Sequence, residues 1–109
     1  MSDPPPDIRL DHVNLPALKP EWLAEWYAKN FGFKAKGGFV FAPGTLLVFE
    51  QGQPLDYRGN THFGFRCNSK EKVAAWAKRF QVELEIDATY CGFKTKDPEG
   101  NIFEVYWEE

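Results

Sequence analysis

Four side chains in this sequence have the types and the placing to do chemistry together. They are His12 and His62, which are its two histidines, and Glu50 and Glu104, each joined to an apolar run. Glu104 poses the sharpest question, because it interrupts Ile102-Phe103-Glu104-Val105-Tyr106-Trp107. An unpaired carboxylate inside a strand is strongly destabilising when buried, so Glu104 either faces water or meets something cationic. Imidazoles and carboxylates converging from separate strands form a ligand set for a divalent metal. Two His with one Glu leave open positions suited to Fe(II) or Mn(II); two His with two Glu suit Ni(II), Zn(II) or Co(II), with water completing the shell. Taken singly, a strand histidine is ordinarily a surface or hydrogen-bonded residue and a strand glutamate ordinarily faces solvent. The case therefore rests on the conjunction. Glu50 is its weakest member, since it ends its strand beside Gln51 and a slip of one residue would turn it away.

The spacing of these residues repeats. Fourteen positions after each histidine stands a helical tryptophan, Trp26 or Trp76, and each half closes with a glutamate, Glu50 at 38 positions and Glu104 at 42. Matched landmarks in order point to a βαβββ unit used twice, over about 8–50 and 61–107.

The elements that must hold these residues can be read from local signals. Residues 8–15 have the character of a strand, and Pro20 opens a helix where the missing donor is harmless. Trp22, Leu23, Trp26, Tyr27 and Phe31 follow at helical spacing, and Gly32 stands where that helix should stop. Residues 33–36, 39–42 and 45–50 read as strands separated by Gly37-Gly38 and Pro43-Gly44, and 51–60 as a loop. The second half runs through a strand at 61–67, a helix capped by Ser69 with Val73, Trp76, Ala77 and Phe80 on its apolar face, strands at 82–86 and 89–95, an Asp97-Pro98-Glu99-Gly100 turn, and a last strand at 102–107. Side-chain alternation puts Phe103, Val105 and Trp107 on one face and Ile102, Glu104 and Tyr106 on the other, as it separates Phe63 and Phe65 from His62, Gly64 and Arg66. With the apolar faces packed on the helices, His62 and Glu104 point to the helix-free side, as do His12 and Glu50 under the same rule. The expected fold is α+β: two βαβββ modules whose mixed sheet curves into a cup, with the helices outside.

Composition narrows the classes of function. The 109 residues are enough for one domain, expected at 8–109 behind a disordered lead-in at 1–7, and 17% of them are aromatic. A net charge of −3 with interspersed signs argues against a nucleic-acid partner, and no apolar run reaches the length of a membrane span. The first residues lack the basic and apolar regions of a signal peptide, so the expected location is the cytoplasm. Cys67 and Cys91, 24 positions apart in expected strands, match no metal-finger spacing and are expected as reduced thiols.

The segments "LDHVNL", "WYAKNFGF", "THFGF" and "DPEGNIFEVYW", in this order, resemble the signature segments of the vicinal oxygen chelate superfamily, which holds glyoxalase I, fosfomycin- and bleomycin-resistance proteins and extradiol dioxygenases. The Asp-Pro-Glu-Gly turn leading to Glu104 is the most specific of them. The resemblance implies a divalent metal (Ni, Zn, Mn, Fe or Co) held by His12, His62 and Glu104, with Glu50 as a further ligand or the catalytic base. It also implies a small-molecule substrate and a homodimer. Tyr57, Arg66, Tyr90, Phe93 and Tyr106 are the candidate pocket residues. The chain departs from ring-cleaving dioxygenases in having no third histidine for proton transfer, and from glyoxalase I in lacking a clear cationic cluster beyond Arg9, Arg58 and Arg66. A metal-dependent enzyme of the lyase or isomerase type is the leading expectation. A sequestering protein of the bleomycin-resistance type, a dioxygenase, and a partner domain that has merely kept the fold are the others.

Overall fold

Both halves of the chain arrive at the same arrangement from different sequences. The computed structural model describes residues 3–109 and divides into two units, one ending at Pro54 and one beginning at Leu55. Residues 1–2 of the expected lead-in lie outside the described residues, and 3–11 carry neither helix nor strand. The first unit runs β1 (His12–Ala17), α1 (Pro20–Phe31), β2 (Lys34–Lys36), β3 (Phe39–Ala42) and β4 (Thr45–Gln51). The second runs β5 (Phe63–Arg66), α2 (Lys70–Phe80), β6 (Glu85–Ile86), β7 (Tyr90–Lys96) and β8 (Ile102–Glu108). Each makes a four-stranded mixed sheet, ordered β1-β4-β3-β2 or β5-β8-β7-β6, in which the first and last strands pair in parallel and the other pairs are antiparallel. The fold is α+β, two sheets with two helices. No helix among the described residues is long and apolar enough to cross a membrane.

The helices form where the local signals placed them. Proline leads α1, and Gly32 ends it in the left-handed region (φ 77°) with its amide bonded to Ala28 O. Leu23, Ala24 and Tyr27 are fully buried, and the Tyr27 ring stacks on Phe49 of β4 at 5.5 Å. Ser69 caps α2 by accepting from the Lys72 amide at 3.3 Å, and Val73 and Ala77 are buried beneath it. Phe80 packs against Phe93 and Phe103, whose ring centroids lie 6.1 and 5.6 Å away, so β7 and β8 present that face to the helix.

Several strands differ from expectation at their ends. The expected strand over 8–15 begins only at His12, and Ile8 and Leu10 remain 90% and 80% exposed. The expected 61–67 strand contracts to Phe63–Arg66, which leaves His62 and Cys67 just outside it, because a turn closed by Thr61 N to Arg58 O at 3.1 Å holds the chain up to that point. The expected 82–86 strand shrinks to Glu85–Ile86 because the end of α2 claims its start. Gln81 turns left-handed (φ 57°), and the Val82 amide bonds back to Ala77 O at 3.0 Å.

The turn before β8 is a buried polar latch. Gly100 N donates to Asp97 O at 3.0 Å, closing the turn, and Asp97 Oδ1 accepts from the amides of Glu99 (2.9 Å) and Asn101 (3.0 Å). Asn101, fully buried, donates from Nδ2 to Asp97 Oδ2 at 2.7 Å and accepts from the Tyr57 hydroxyl at 2.9 Å. Asp97 and Asn101 are 4% and 0% exposed, so neither can lose a partner without a penalty. Replacing Asn101 with Ala removes the acceptor of the Tyr57 hydroxyl and a donor to Asp97 and is expected to destabilise the protein by about 1–3 kcal/mol. Urea titration checks this: the midpoint should fall with an unchanged slope, and an unmoved midpoint would contradict the latch.

Candidate functional site

In the second unit, the parallel pairing of β5 with β8 sets Gly64 opposite Glu104, on the face away from α2. Gly64 contributes no side chain, and a methyl group built there would stand 3.7 Å from Glu104 Oε1. The space beside the carboxylate is filled by His62, whose Nε2 lies 3.2 Å from Oε1. Both side chains are largely withdrawn from solvent, at 20% and 15% exposure. The other ring nitrogen of His62, Nδ1, lies 2.6 Å from the carbonyl oxygen of Asn60. A carbonyl only accepts, so Nδ1 carries the ring proton. In the neutral imidazole, Nε2 is then a lone pair aimed at a carboxylate oxygen, one acceptor against another. A positive charge satisfies that arrangement, either a proton on Nε2 or a metal ion bound by both groups. Around this pair, Lys94 Nζ donates to Asn60 Oδ1 at 2.7 Å, and the Tyr90 hydroxyl donates to Glu104 Oε2.

The first unit arranges its two candidates differently. His12 and Glu50 share the helix-free face, but His12 pairs with Leu46 and Glu50 with Pro16. Pro16 is four positions on from His12, about 13 Å along a strand at ~3.3 Å per residue. Within this unit the two do not meet. Asn14 Nδ2 donates to Glu50 Oε1, and His12 Nδ1 lies 3.2 Å from Asp11 Oδ2. The register also corrects the expected repeat. Two residues after His62 comes Gly64, opposite Glu104, whereas two residues after His12 comes Asn14, opposite Val48. Val48, and not Glu50, holds the place of Glu104. Matching landmarks by order alone missed this, because the strand-to-strand connections differ in length. Among the described residues, no group of three or more His, Cys, Asp or Glu side chains comes together as a metal cage. His62 and Glu104 do come together, as a pair 3.2 Å apart.

The remaining candidates are distributed over both faces of the second unit. Tyr90 and Tyr106 stack at 6.4 Å beside Glu104, and the Arg66 guanidinium lies 5.5 Å from the Tyr106 ring while donating to Glu108 O. Phe93 is 2% exposed and packs on α2, on the opposite face of the sheet from Glu104. Tyr57 is tied to the Asn101 latch. Cys67 and Cys91 are free thiols; Cys91 alternates with Tyr90 and Gly92 and so shares the helix-side face with Phe93. Burial, more than any neighbour, pushes the Cys67 thiol up from its ordinary value. Sequence reasoning passed over Asn60 and Lys94, and took Tyr90 for a pocket wall without seeing its hydrogen bond.

Paired βαβββ units with a histidine and a glutamate on a helix-free face describe a recognisable class, and comparison with known proteins agrees. No protein-family profile matches the chain. A Bacillus subtilis (strain 168) protein named as a probable trivalent organoarsenical cleaving enzyme is 32% identical over 113 aligned positions, covering 88% of this chain and 77% of that protein. The crystal structure of lactoylglutathione lyase from Agrobacterium tumefaciens superposes with a TM-score of 0.68 at 21% identity, covering 94% of this chain and 95% of that one. The genomically encoded fosfomycin resistance protein FosX from Listeria monocytogenes gives 0.72 at 14% identity, over 95% and 94% of the two chains. The chain belongs to the vicinal oxygen chelate superfamily.

Two tyrosine hydroxyls are held in their neutral form. Burial first, then the charge of Asp97, pushes Tyr57 up from 10.0 to about 12. Burial first, then the hydrogen bond to Glu104 and its charge, moves Tyr90 in the same direction. A folded-state value above the unfolded one contributes stability that is fully present below pH 10 and is lost as pH rises through the folded value. Tyr57 should therefore stay neutral at pH 10 in the folded protein and ionise near pH 12 in an ultraviolet titration, with stability falling between pH 10 and 12. A Tyr57→Phe variant that loses absorbance change near pH 10, and not near pH 12, relative to wild type would contradict this.

Proposed function

We propose that the protein is a metal-dependent enzyme of the lyase or isomerase type, glyoxalase-like, acting on a small oxygenated molecule. One observation carries the reading: with Nδ1 of His62 committed to a carbonyl, the Nε2 lone pair and the Glu104 carboxylate face one gap and share one need, a cation. An imidazole nitrogen and a carboxylate oxygen are donors suited to Zn(II), Ni(II), Co(II), Mn(II) or Fe(II). A divalent ion there would act as a Lewis acid toward neighbouring oxygens of a substrate and stabilise the negative charge that builds as a proton leaves. In this reading His62 and Glu104 are ligands, and Asn60 fixes the His62 tautomer. Tyr106, with Arg66 over its ring, lines the approach to Glu104.

A second substrate class is favoured by the organoarsenical-cleaving relative. The carbon–arsenic bond of such a substrate would break with water as co-reactant, carbon taking the proton and arsenic the hydroxide, and a cation held by the same pair would serve that step. Trivalent arsenic is soft and prefers thiolate sulfur, yet Cys91 lies on the helix side of the sheet, away from Glu104. Capture through that thiol is therefore not part of the reading, and the oxygenated substrate leads.

The test is metal content of tag-free protein by mass spectrometry, beside the His62→Ala, Glu104→Ala double variant. About one divalent ion per chain in the wild type, absent from the variant, is the expected result. Wild-type protein that takes up none after incubation with Zn(II), Ni(II), Co(II), Mn(II) and Fe(II) would overturn the reading. Loaded enzyme offered a 2-oxoaldehyde–thiol adduct and a trivalent methylarsenical then separates the two substrate classes.

A further inference from the structure

Tyr90 reaches Glu104 by a route that its own strand has to clear. In the β7–β8 ladder Tyr90 pairs with Glu108, Gly92 with Tyr106 and Lys94 with Glu104. A tyrosine standing straight up from its position would end beside Glu108. The ring instead lies along the strand and across Gly92, stacked on Tyr106 at an interplanar angle of 18°, and its hydroxyl donates to Glu104 Oε2. Only glycine permits this. A Cβ at position 92 would stand 2.6 Å from Tyr90 Cζ and 2.9 Å from Tyr106 Cβ, closer than such atoms approach. Gly92 has no left-handed backbone angle to explain it, so its purpose here is space.

The bond divides the two oxygens of Glu104 between two tasks. Tyr90 holds Oε2, and Oε1 is left facing His62 Nε2. A free glutamate in a half-buried site would have to give up rotamer freedom on taking a cation, which weakens binding. Here that ordering is already part of the folded state. Donation to Oε2 draws charge from the carboxylate, which weakens it slightly as a ligand. The ordering effect is the larger, because removing such outer hydrogen bonds ordinarily lowers metal affinity.

We propose that Tyr90, lodged over Gly92, is a positioning residue that fixes the Glu104 carboxylate for a divalent cation bound through Oε1 and His62 Nε2. The role rests on the metal reading given above. It makes Gly92 part of the same device, since any side chain there displaces the ring.

Calorimetric and visible-absorption titration with Co(II) tests it on wild type, Tyr90→Phe, Gly92→Ala and the double variant. Tyr90→Phe keeps the ring and removes only the donor. It should bind Co(II) roughly 10- to 100-fold more weakly, with an altered ligand-field spectrum and with cooperative unfolding retained. Gly92→Ala should weaken binding similarly, and the double variant should bind no more weakly than the worse single one, because both act through one hydroxyl. Tyr90→Phe matching wild type in affinity and spectrum would overturn the positioning role while leaving the metal site standing. Wild type that binds no Co(II) would overturn the metal reading and this role with it.

Discussion

The bond from His62 Nδ1 to the Asn60 carbonyl sets the terms for everything around Glu104. Once that nitrogen carries the proton, the opposite face of the ring offers a lone pair to a carboxylate 3.2 Å away. Two acceptors at that distance, each at least four-fifths withdrawn from water, form a site defined by what it needs. Asn60 is itself held by Lys94, and Glu104 by Tyr90, so the pair cannot relax by turning apart without breaking a second hydrogen bond. The carboxylate inside an apolar strand is explained by its two neighbours: Tyr90 donates to one oxygen, and His62 faces the other.

The fold supplies the precision. Parallel pairing of first and last strand brings together residues 42 positions apart in sequence, and the helix on one face forces the polar side chains onto the other. The Asp97–Asn101 latch fixes where β8 begins and thereby which residue meets Gly64. A one-residue slip would bury Glu104 under α2 and expose Phe103, so the latch protects register as well as stability. Two glycines then clear the ground, Gly64 beside the carboxylate and Gly92 beneath the tyrosine. The first unit repeats the strand order with Val48 at the equivalent place, so the carboxylate chemistry of the two units is not symmetric.

Much of this could be read in the sequence because it depends on local patterns. Pro20, Gly32 and Ser69 marked the helix ends, alternation put His62 and Glu104 on one face, and Asp-Pro-Glu-Gly marked the turn. What escaped depends on register and on backbone groups. Glu50 matched Glu104 in order along the chain but not in pairing, and pairing is fixed only when β1 and β4 align. The Asn60 acceptor is a main-chain oxygen in a loop, which no residue type signals. The reach of Tyr90 needs both the β7–β8 ladder and the bare Gly92, so the tyrosine looked like an ordinary pocket wall. The expected strand at 82–86 failed because the left-handed Gln81 cap, unusual for a residue with a side chain, took the Val82 amide first.

A crystal of the protein grown with Co(II), examined by anomalous diffraction at the cobalt edge, tests the central claim most directly. A single strong peak within coordinating distance of His62 Nε2 and Glu104 Oε1, with Nδ1 still on the Asn60 carbonyl, is the predicted result. A map without a peak there, with His62 and Glu104 joined as a plain ion pair, would contradict it.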